Sequence, residues 1–189
     1  MSYDVILADP PWSFRVWDED TGNGRAARAH YDTMPIEELC KLPIRDLASK
    51  NCALFLWAVW PSMFENVPPL LDAWGFKYKS LAWIWVKALK DGTGFATGMG
   101  YYSRANSEPC LLAVKGNMPV ANRDVLAVIH SPRRAHSQKP DEQYSKIERL
   151  YPDKRYLELF ARQKREGWDS WGNEITSDIQ LTPQSDLLG

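Results

Sequence analysis

The stretch of residues 3–12, YDVILADPPW, decides the fold of this chain. Its first six residues are mostly apolar and include two β-branched side chains, which is typical of a buried β-strand. Pro10 and Pro11 lack the backbone N–H that a sheet requires, so the strand must end before them. We therefore predict a buried strand over 3–8 whose carboxyl end carries Asp9-Pro10-Pro11-Trp12, called the DPPW tetrad below.

Apolar strand patterns and helical patterns alternate along the rest of the chain. The predicted strands are 51–58, 80–86, 109–114, 125–129 and 156–161, and the predicted helices are 35–48 (in two pieces broken at Pro43), 64–74 (closed by Gly75) and 141–150. This alternation predicts an α/β fold with a mostly parallel central sheet and helices on both faces. In such sheets ligands bind beyond the carboxyl ends of the strands, which is where the tetrad lies.

Bulk composition limits the classes of protein to consider. A length of 189 residues fits one domain, predicted over 1–175, and the polar stretch 176–189 is expected to be a loosely held tail. No apolar run approaches the roughly 18 residues of a membrane span, and no signal sequence is visible at the N-terminus. Three cysteines without ligand spacing predict reduced thiols, a cytoplasmic location and, with three scattered histidines, no metal site.

The DPPW tetrad suits methylation of an aromatic amine. The lone pair of adenine's exocyclic nitrogen is delocalised into the ring, so a catalyst must localise it with hydrogen-bond acceptors aimed at the amine. The Asp9 carboxylate and the Pro10 carbonyl, held rigid by two fixed φ angles, supply such acceptors, and Trp12 offers a face for a flipped base. Taken alone, the tetrad is equally compatible with a strand that ends at a Pro-Pro turn above a buried tryptophan.

Eight segments of the chain, the tetrad included, agree in order with one known family. They are the tetrad, Tyr31-Asp32-Thr33-Met34, 54–57 (LFLW), 84–87 (IWVK), 114–117 (VKGN), 136–142 (HSQKPDE), 147–150 (IERL) and 158–160 (ELF). Over residues 3–174 the chain resembles the DPPW-type adenine-N6 methyltransferases, which include the catalytic subunit of the eukaryotic mRNA methylating complex and small bacterial and phage DNA methyltransferases. The resemblance implies a permuted, β-class Rossmann-like domain with S-adenosyl-L-methionine as cofactor.

The resemblance also implies roles for individual side chains. Glu158 and Arg162 would hold the cofactor ribose, Asn173 would contribute to the same pocket, and Lys139 would reach the cofactor carboxylate or the nucleic-acid backbone. Tyr31 and Trp57 would line the adenine site together with Asp9, which also borders the cofactor. The alternatives are a surface ion pair for Glu158, a solvated position for Lys139 and plain core packing for Trp57.

The chain departs from the family pattern near its end. Ala161, Gln163, Lys164, Arg165 and Glu174 replace the usual Gly, Pro, His, Asn and Gln, and Ser107 stands where the eukaryotic enzyme has Lys. Family contacts made by those residues are therefore not expected here. The tetrad is intact, which favours a catalyst over a non-catalytic nucleic-acid-binding or regulatory subunit.

Nucleic-acid contacts must come from local basic clusters, because the net charge is −1. Arg25 and Arg28 lie in the polar stretch 13–32, Arg104 in the glycine-containing stretch 90–106, and Arg133 and Arg134 in a third loop. We expect these loops to clamp phosphates around a flipped base in DNA, with RNA as the alternative substrate. The sequence leaves the target motif, and the choice between monomer, homodimer and partner subunit, open.

Overall fold

The computed structural model describes residues 2–13, 33–98, 102–134 and 138–182. The strands in this part are β1 (Tyr3–Ala8), β2 (Ala48–Trp57), β3 (Lys77–Ala88), β4 (Ser107–Lys115), β5 (Val128–Pro132), β6 (Tyr156–Leu159) and β7 (Trp168–Trp171). The helices are α1 (Ile36–Lys41), α2 (Ile44–Leu47), α3 (Met63–Trp74) and α4 (Glu142–Leu150), and a 3₁₀ turn at Trp60–Ser62 precedes α3.

All seven strands form one sheet in the order β5-β3-β4-β2-β1-β6-β7. β1 lies parallel to β2 and β6, β6 to β7, and β3 to β5, which confirms the predicted mostly parallel sheet. β4 pairs antiparallel with both of its neighbours. No helix lies in the described part of the β3–β4 connection, and a parallel crossover usually requires one, so the chain returns in the opposite direction.

Helices cover both faces of the sheet, as the alternation of patterns predicts. On the first face α1, α2 and α3 pack on alternate sheet residues such as Ile6 and Leu54; this is the α3 face. On the second face α4 packs on the intervening residues, among them Leu7 and Phe55; this is the α4 face. The alternation within β1 therefore directs Asp9, like Leu7, towards the α4 face.

Most element boundaries agree with the sequence prediction, and the differences have local causes. β5 lies three residues later than predicted, at Val128–Pro132, and the four-residue strand β7 has too short an apolar pattern to be recognised. β6 ends at Leu159 rather than residue 161, because Phe160 has a φ of 61°. That left-handed conformation cannot continue a strand.

Two prolines lie inside α3, where they would normally break a helix. Pro68 and Pro69 remove two backbone donors, which leaves the carbonyls of Phe64 and Glu65 without their helical partners. All four residues are exposed, so water can satisfy those carbonyls. The helix then ends at Gly75, whose φ of 77° closes it in the predicted way.

The described part of the predicted tail is attached to the domain. The backbone N–H of Asp178 donates to the Ser170 carbonyl at 2.8 Å, and Ile179 and Leu181 pack against the core of the α3 face. A loosely held tail could therefore begin only after Leu181; residues 183–189 lie outside the described part of the chain.

Candidate active site

A cleft opens on the α4 face where β1, β2 and β6 end. Parallel pairing sets Leu7 beside both Phe55 and Glu158, so the side chains of Asp9, Trp57 and Glu158 reach this cleft from three adjacent strands. Among the described residues the cleft is lined by Leu7, Asp9, Trp57, Gln138, Lys139, Gln143, Tyr144, Glu158, Phe160, Arg162 and Gln163. The structure thus brings Asp9, Trp57, Lys139, Glu158 and Arg162 together, as the resemblance implies.

Asp9 begins a chain of alternating charges. Lys139 Nζ donates to Asp9 Oδ1 and Oδ2, at 2.8 Å each, and lies 3.2 Å from Glu108 Oε2. The other oxygen of Glu108 accepts a hydrogen bond from Lys87 Nζ. The order Asp9–Lys139–Glu108–Lys87 therefore places each carboxylate beside a cation.

Burial and these partners set the protonation states of the charge chain. Burial raises the pKa of Asp9, and the Lys139 cation opposes that rise only in part. Burial alone would raise the pKa of Glu108, but Lys139 and Lys87 hold it below its usual value. Burial would lower the pKa of Lys139, yet Asp9 and Glu108 raise it above its usual value. Glu108 is therefore an anion and Lys139 a cation at neutral pH, while Asp9 is an unusually basic carboxylate.

The rest of the DPPW tetrad is fixed by backbone and indole hydrogen bonds. The Pro10 carbonyl accepts the Trp12 backbone N–H at 2.8 Å, and the Pro11 carbonyl accepts the Met34 backbone N–H at 2.8 Å. Trp12 Nε1 donates to the Trp57 carbonyl at 2.9 Å. These bonds hold the tetrad against the end of β2.

The prediction that Trp12 offers a face to the base does not match this arrangement. Its side chain is 6% exposed and belongs to the core of the α3 face, away from the cleft that Asp9 lines. The buried-tryptophan alternative describes the ring better. Trp12 therefore anchors the tetrad.

At the other end of the cleft Glu158 is held by Tyr144. The Tyr144 hydroxyl lies 3.0 Å from each carboxylate oxygen of Glu158. Burial raises the pKa of Glu158 to about 7, although the hydrogen bond from Tyr144 opposes the rise. The Arg165 guanidinium lies 4.5 Å from the centre of the Tyr144 ring and donates to Glu148, which fixes the far side of Tyr144.

The predicted ribose partner Arg162 lines the cleft and lies 3.5 Å from Glu174. Asn173 is exposed and is not among the lining residues, so its role stays a prediction. The preceding Gly172 lets the chain pass close to the backbone of Ala161. A Cβ there would lie 2.0 Å from the Ala161 carbonyl oxygen, so only glycine permits this approach.

The family departures at 164 and 165 have structural partners on the surface. Lys164 pairs with Asp178, and Arg165 pairs with Glu148 at 3.1 Å. Both side chains therefore tie loops to the domain instead of pointing into the cleft. Ala161, which also departs from the family pattern, is buried beside Gly172.

Trp57 is almost wholly buried, at 1% exposed, yet it forms part of the cleft wall. Its indole N–H donates to Gln143 Oε1 at 2.7 Å, and Lys139 Nζ lies 5.4 Å from the ring centre. Most of the ring serves packing, which was the alternative interpretation. Contact with an adenine ring stays a prediction.

A second, basic depression adjoins the charge chain. It is lined by Trp85, Lys87, Arg133 and Arg134. Arg134 Nη1 lies 2.5 Å from Asp141 Oδ1, and Arg133 is exposed. Lys87 joins this depression to the charge chain, because the same ammonium contacts Glu108.

The remaining predicted nucleic-acid residues are distributed differently. Arg104 is exposed on the approach to β4 and does not line either depression. Arg25, Arg28 and Tyr31 lie outside the described residues. Their convergence on the site therefore stays a prediction.

Sequence reasoning missed four residues of the site: Lys87, Glu108, Gln143 and Tyr144. Alternation within β4 offered one signal, because Glu108 shares the side of the strand that carries buried Cys110. An ionisable residue on such a side needs a partner or a function. For the two α4 residues the buried stripe of the helix was visible, but their hydrogen bonds were not.

The residues of the cleft fit an S-adenosylmethionine-like cofactor. A half-buried carboxylate at the end of a strand accepts hydrogen bonds from ribose hydroxyls, and Glu158 is such a group. Among the described residues there is no cluster of three or more His, Cys, Asp or Glu that could hold a metal ion. None of the helices in that same part is long and apolar enough to span a membrane.

Comparisons with known proteins found one family model and several methyltransferases that match this chain. The MT-A70 family model matches residues 3–174. The chain is 31% identical over 202 residues to the Type II methyltransferase M.MunI of Mycoplasma sp, which covers 98% of this chain and 83% of that protein. It is 34% identical over 178 residues to the N(6)-adenosine-methyltransferase MT-A70-like protein of Arabidopsis thaliana, with 92% of this chain and 24% of that protein covered. The N(6)-adenosine-methyltransferase catalytic subunit METTL3 of Homo sapiens is 33% identical over 183 residues, with 95% of this chain and 29% of that protein covered.

Proposed function

This chain belongs to the MT-A70 family, and on that premise we propose that it transfers a methyl group from S-adenosyl-L-methionine to the exocyclic N6 of adenine in DNA. One observation supports the proposal above the others: the basic carboxylate of Asp9 and the carboxylate of Glu158 face one cleft from adjacent parallel strands. The Asp9 carboxylate suits the amine that receives the methyl group, and the Glu158 carboxylate suits the hydroxyls of a ribose.

When bound, the cofactor supplies a methyl group on a cationic sulfur. Glu158 accepts hydrogen bonds from the ribose hydroxyls, and Arg162 borders the same position. Tyr144 holds the Glu158 carboxylate in one orientation through both of its oxygens. The ribose therefore meets a carboxylate that needs little reordering when the cofactor binds.

Asp9 and the Pro10 carbonyl act on the acceptor amine. The Asp9 carboxylate has about four lone-pair sites. Lys139 contacts each of its oxygens once, so room remains for one N–H of the amine. The Pro10 oxygen accepts one hydrogen bond from Trp12 and retains a second lone pair for the other amine hydrogen. Together they localise the nitrogen lone pair towards the methyl group.

Methyl transfer forms an N–C bond, breaks an S–C bond and leaves one surplus proton on the amine nitrogen. Asp9 is the group placed to accept that proton, and its raised pKa makes it the stronger base. Lys139 keeps the carboxylate ionised beforehand by compensating its charge. The charge chain therefore tunes one group to act both as hydrogen-bond acceptor and as base.

Two observations favour DNA as the substrate. The Type II methyltransferase matches 98% of this chain, against 92% and 95% for the two adenosine methyltransferases. The depression lined by Lys87, Arg133 and Arg134 offers cations for phosphates beside the reacting base.

Radiolabelled or deuterated methyl transfer tests the proposal. The protein is incubated with methyl-labelled S-adenosylmethionine and either DNA lacking adenine methylation or total RNA, and the digested nucleosides are identified by mass spectrometry. We expect N6-methyldeoxyadenosine from DNA, reduced about 100-fold or more in Asp9→Asn. Asp46→Asn on exposed α2 is the matched control and should retain full activity.

The same assay separates the other functions. N6-methyladenosine from RNA alone would replace DNA as the substrate and leave the chemistry unchanged. Absence of product from both polymers, with cofactor binding retained, would identify a non-catalytic subunit and sink the proposal.

A further inference from the structure

Gln143 is a buried polar side chain in the wall of the cleft. It lies in the first turn of α4 and is 3% exposed, yet it lines the same opening as Asp9 and Glu158. Burying an amide is unfavourable unless its donors and acceptor find partners. The partners of this amide therefore indicate what the position is for.

The orientation of the amide follows from its contact with Trp57. The indole Nε1–H of Trp57 donates to Gln143 Oε1 at 2.7 Å. An indole nitrogen can only donate, so the amide oxygen must face Trp57 and the amide nitrogen must face the other way. In the described part of the chain this nitrogen meets no hydrogen-bond acceptor, which leaves two N–H donors for whatever occupies the cleft.

The position of Gln143 in the cleft indicates which part of a bound cofactor would lie next to it. It contacts Trp57 on β2, and Lys139 Nζ lies 5.4 Å from the ring of that same tryptophan. Glu158 lies on the opposite side of β1, on β6. With the ribose at Glu158 and the methyl group at Asp9, the amino-acid end of the cofactor extends towards Lys139 and Gln143.

We propose that the Gln143 amide nitrogen donates a hydrogen bond to the carboxylate of the methionyl part of S-adenosylmethionine. This inference rests on the proposed function and adds a binding residue to it. A neutral donor suits the place, because the charge of Lys139 is already shared between Asp9 and Glu108. The amide supplies a donor to the incoming carboxylate without leaving an uncompensated cation when the cleft is empty.

Gln143→Glu tests the assignment with almost no change of shape. The new carboxylate still accepts the Trp57 N–H, but it offers no donor to the cleft and repels an anion. Binding is measured by calorimetry with S-adenosylhomocysteine, which has the amino-acid carboxylate, and with 5′-methylthioadenosine, which lacks it. We expect affinity for the first to fall about tenfold or more, the range of one charge-assisted hydrogen bond, while affinity for the second stays at its wild-type value.

Two further variants complete the experiment. All measurements are made at pH 8, because Glu158, with a pKa of about 7, is ionised there. Gln180→Glu adds the same charge at an exposed position and should bind both ligands like the wild type. Gln143→Met keeps the volume without the donors and should show the same selective loss as Gln143→Glu.

Equal loss of both ligands, or no loss of either, would overturn the assignment, because the amide would then face the nucleoside or serve Trp57 alone. A wild-type protein that binds neither ligand would instead overturn the proposed function. The two failures are therefore distinguishable.

Discussion

Lys139 Nζ lies 2.8 Å from each carboxylate oxygen of Asp9, so one ammonium group compensates the charge of the residue that ends β1. The same lysine lies 3.2 Å from Glu108, and its side chain is 10% exposed. A buried cation between two carboxylates determines which of them can hold a proton. Its removal and the removal of Glu108 should therefore shift the pH dependence of catalysis in opposite directions.

Lys139→Met leaves Asp9 beside the carboxylate of Glu108 without an intervening cation. The pKa of Asp9 then rises further, because burial and Glu108 both favour the protonated acid. We expect methylation at pH 7 to fall about 100-fold and to recover in part at higher pH, as the acid limb of the pH–rate profile moves upward. Lys154→Met, at an exposed position, should leave the profile unchanged.

Glu108→Gln should move that acid limb to lower pH. Glu108 raises the pKa of Asp9 through its charge, and a neutral amide removes that effect while Lys139 keeps its contact with Asp9. A pH–rate profile measured between pH 5 and pH 9 checks that the acid limb moves to lower pH, which is the only direction that the charge chain predicts. An acid limb that moves upward in Glu108→Gln would show that Asp9 is not the titrating base.

Tyr144→Phe should weaken cofactor binding with little effect on the chemical step. Without the hydroxyl that lies 3.0 Å from both oxygens, Glu158 loses a partner that favours its ionised form. The KM for the cofactor at pH 7 should rise about tenfold while kcat stays near its wild-type value, and the defect should shrink above pH 8. Tyr78→Phe, at an exposed position on β3, is the control.

Glu158→Gln should make the protein more stable at pH 8 than the wild type. The folded-state pKa of about 7 lies above the usual value of a glutamate, so ionisation costs stability. This cost is absent below about pH 4.5, grows as the pH rises and reaches its full value above pH 7, where it amounts to at most about 3 kcal/mol. Denaturant unfolding should show a gain at pH 8 that disappears at pH 5, together with a loss of cofactor affinity.

Gly172→Ala should destabilise the protein more than Gly167→Ala does. A Cβ at 172 would meet the Ala161 carbonyl oxygen at 2.0 Å, whereas a Cβ at 167 meets nothing within 4 Å but has a φ of 80°. The second variant isolates the cost of the left-handed conformation, about 1 kcal/mol, and the first adds a backbone clash, for a loss of about 2 to 4 kcal/mol. Equal losses in a thermal unfolding experiment would contradict the close contact.

The sequence could predict elements with long, uniform patterns and the motif that ends β1. It located β1 to the residue because a mostly apolar run of six residues ends just before Asp9 and two prolines, and it found the break between α1 and α2 at Pro43. It could not predict that β4 runs antiparallel, since its apolar pattern is the same in either direction. Strand direction depends on the connection, whose described part shows no helical structure.

Within the site, the sequence could predict residues that belong to a family motif, but it could not predict which side chains form hydrogen bonds or ion pairs with them. Asp9, Lys139 and Glu158 were named from the sequence and line one cleft, but their partners Glu108 and Tyr144 were missed because each contact joins two different elements of the fold. Trp12 shows the opposite error. A tryptophan beside a catalytic aspartate suggested stacking, whereas its indole N–H and its burial make it an anchor.

The reversed direction of β4 divides the site between two stretches of chain. Because β4 starts at the edge where β1 and β2 end, Glu108 reaches Lys139 from the amino end of its strand, close to Lys87 at the end of β3. One stretch, residues 87–134, contributes Lys87, Glu108, Arg133 and Arg134. A separate stretch after α4 contributes Glu158, Phe160 and Arg162. Substitutions within residues 87–134 can therefore change the basic depression while leaving the residues around Glu158 untouched.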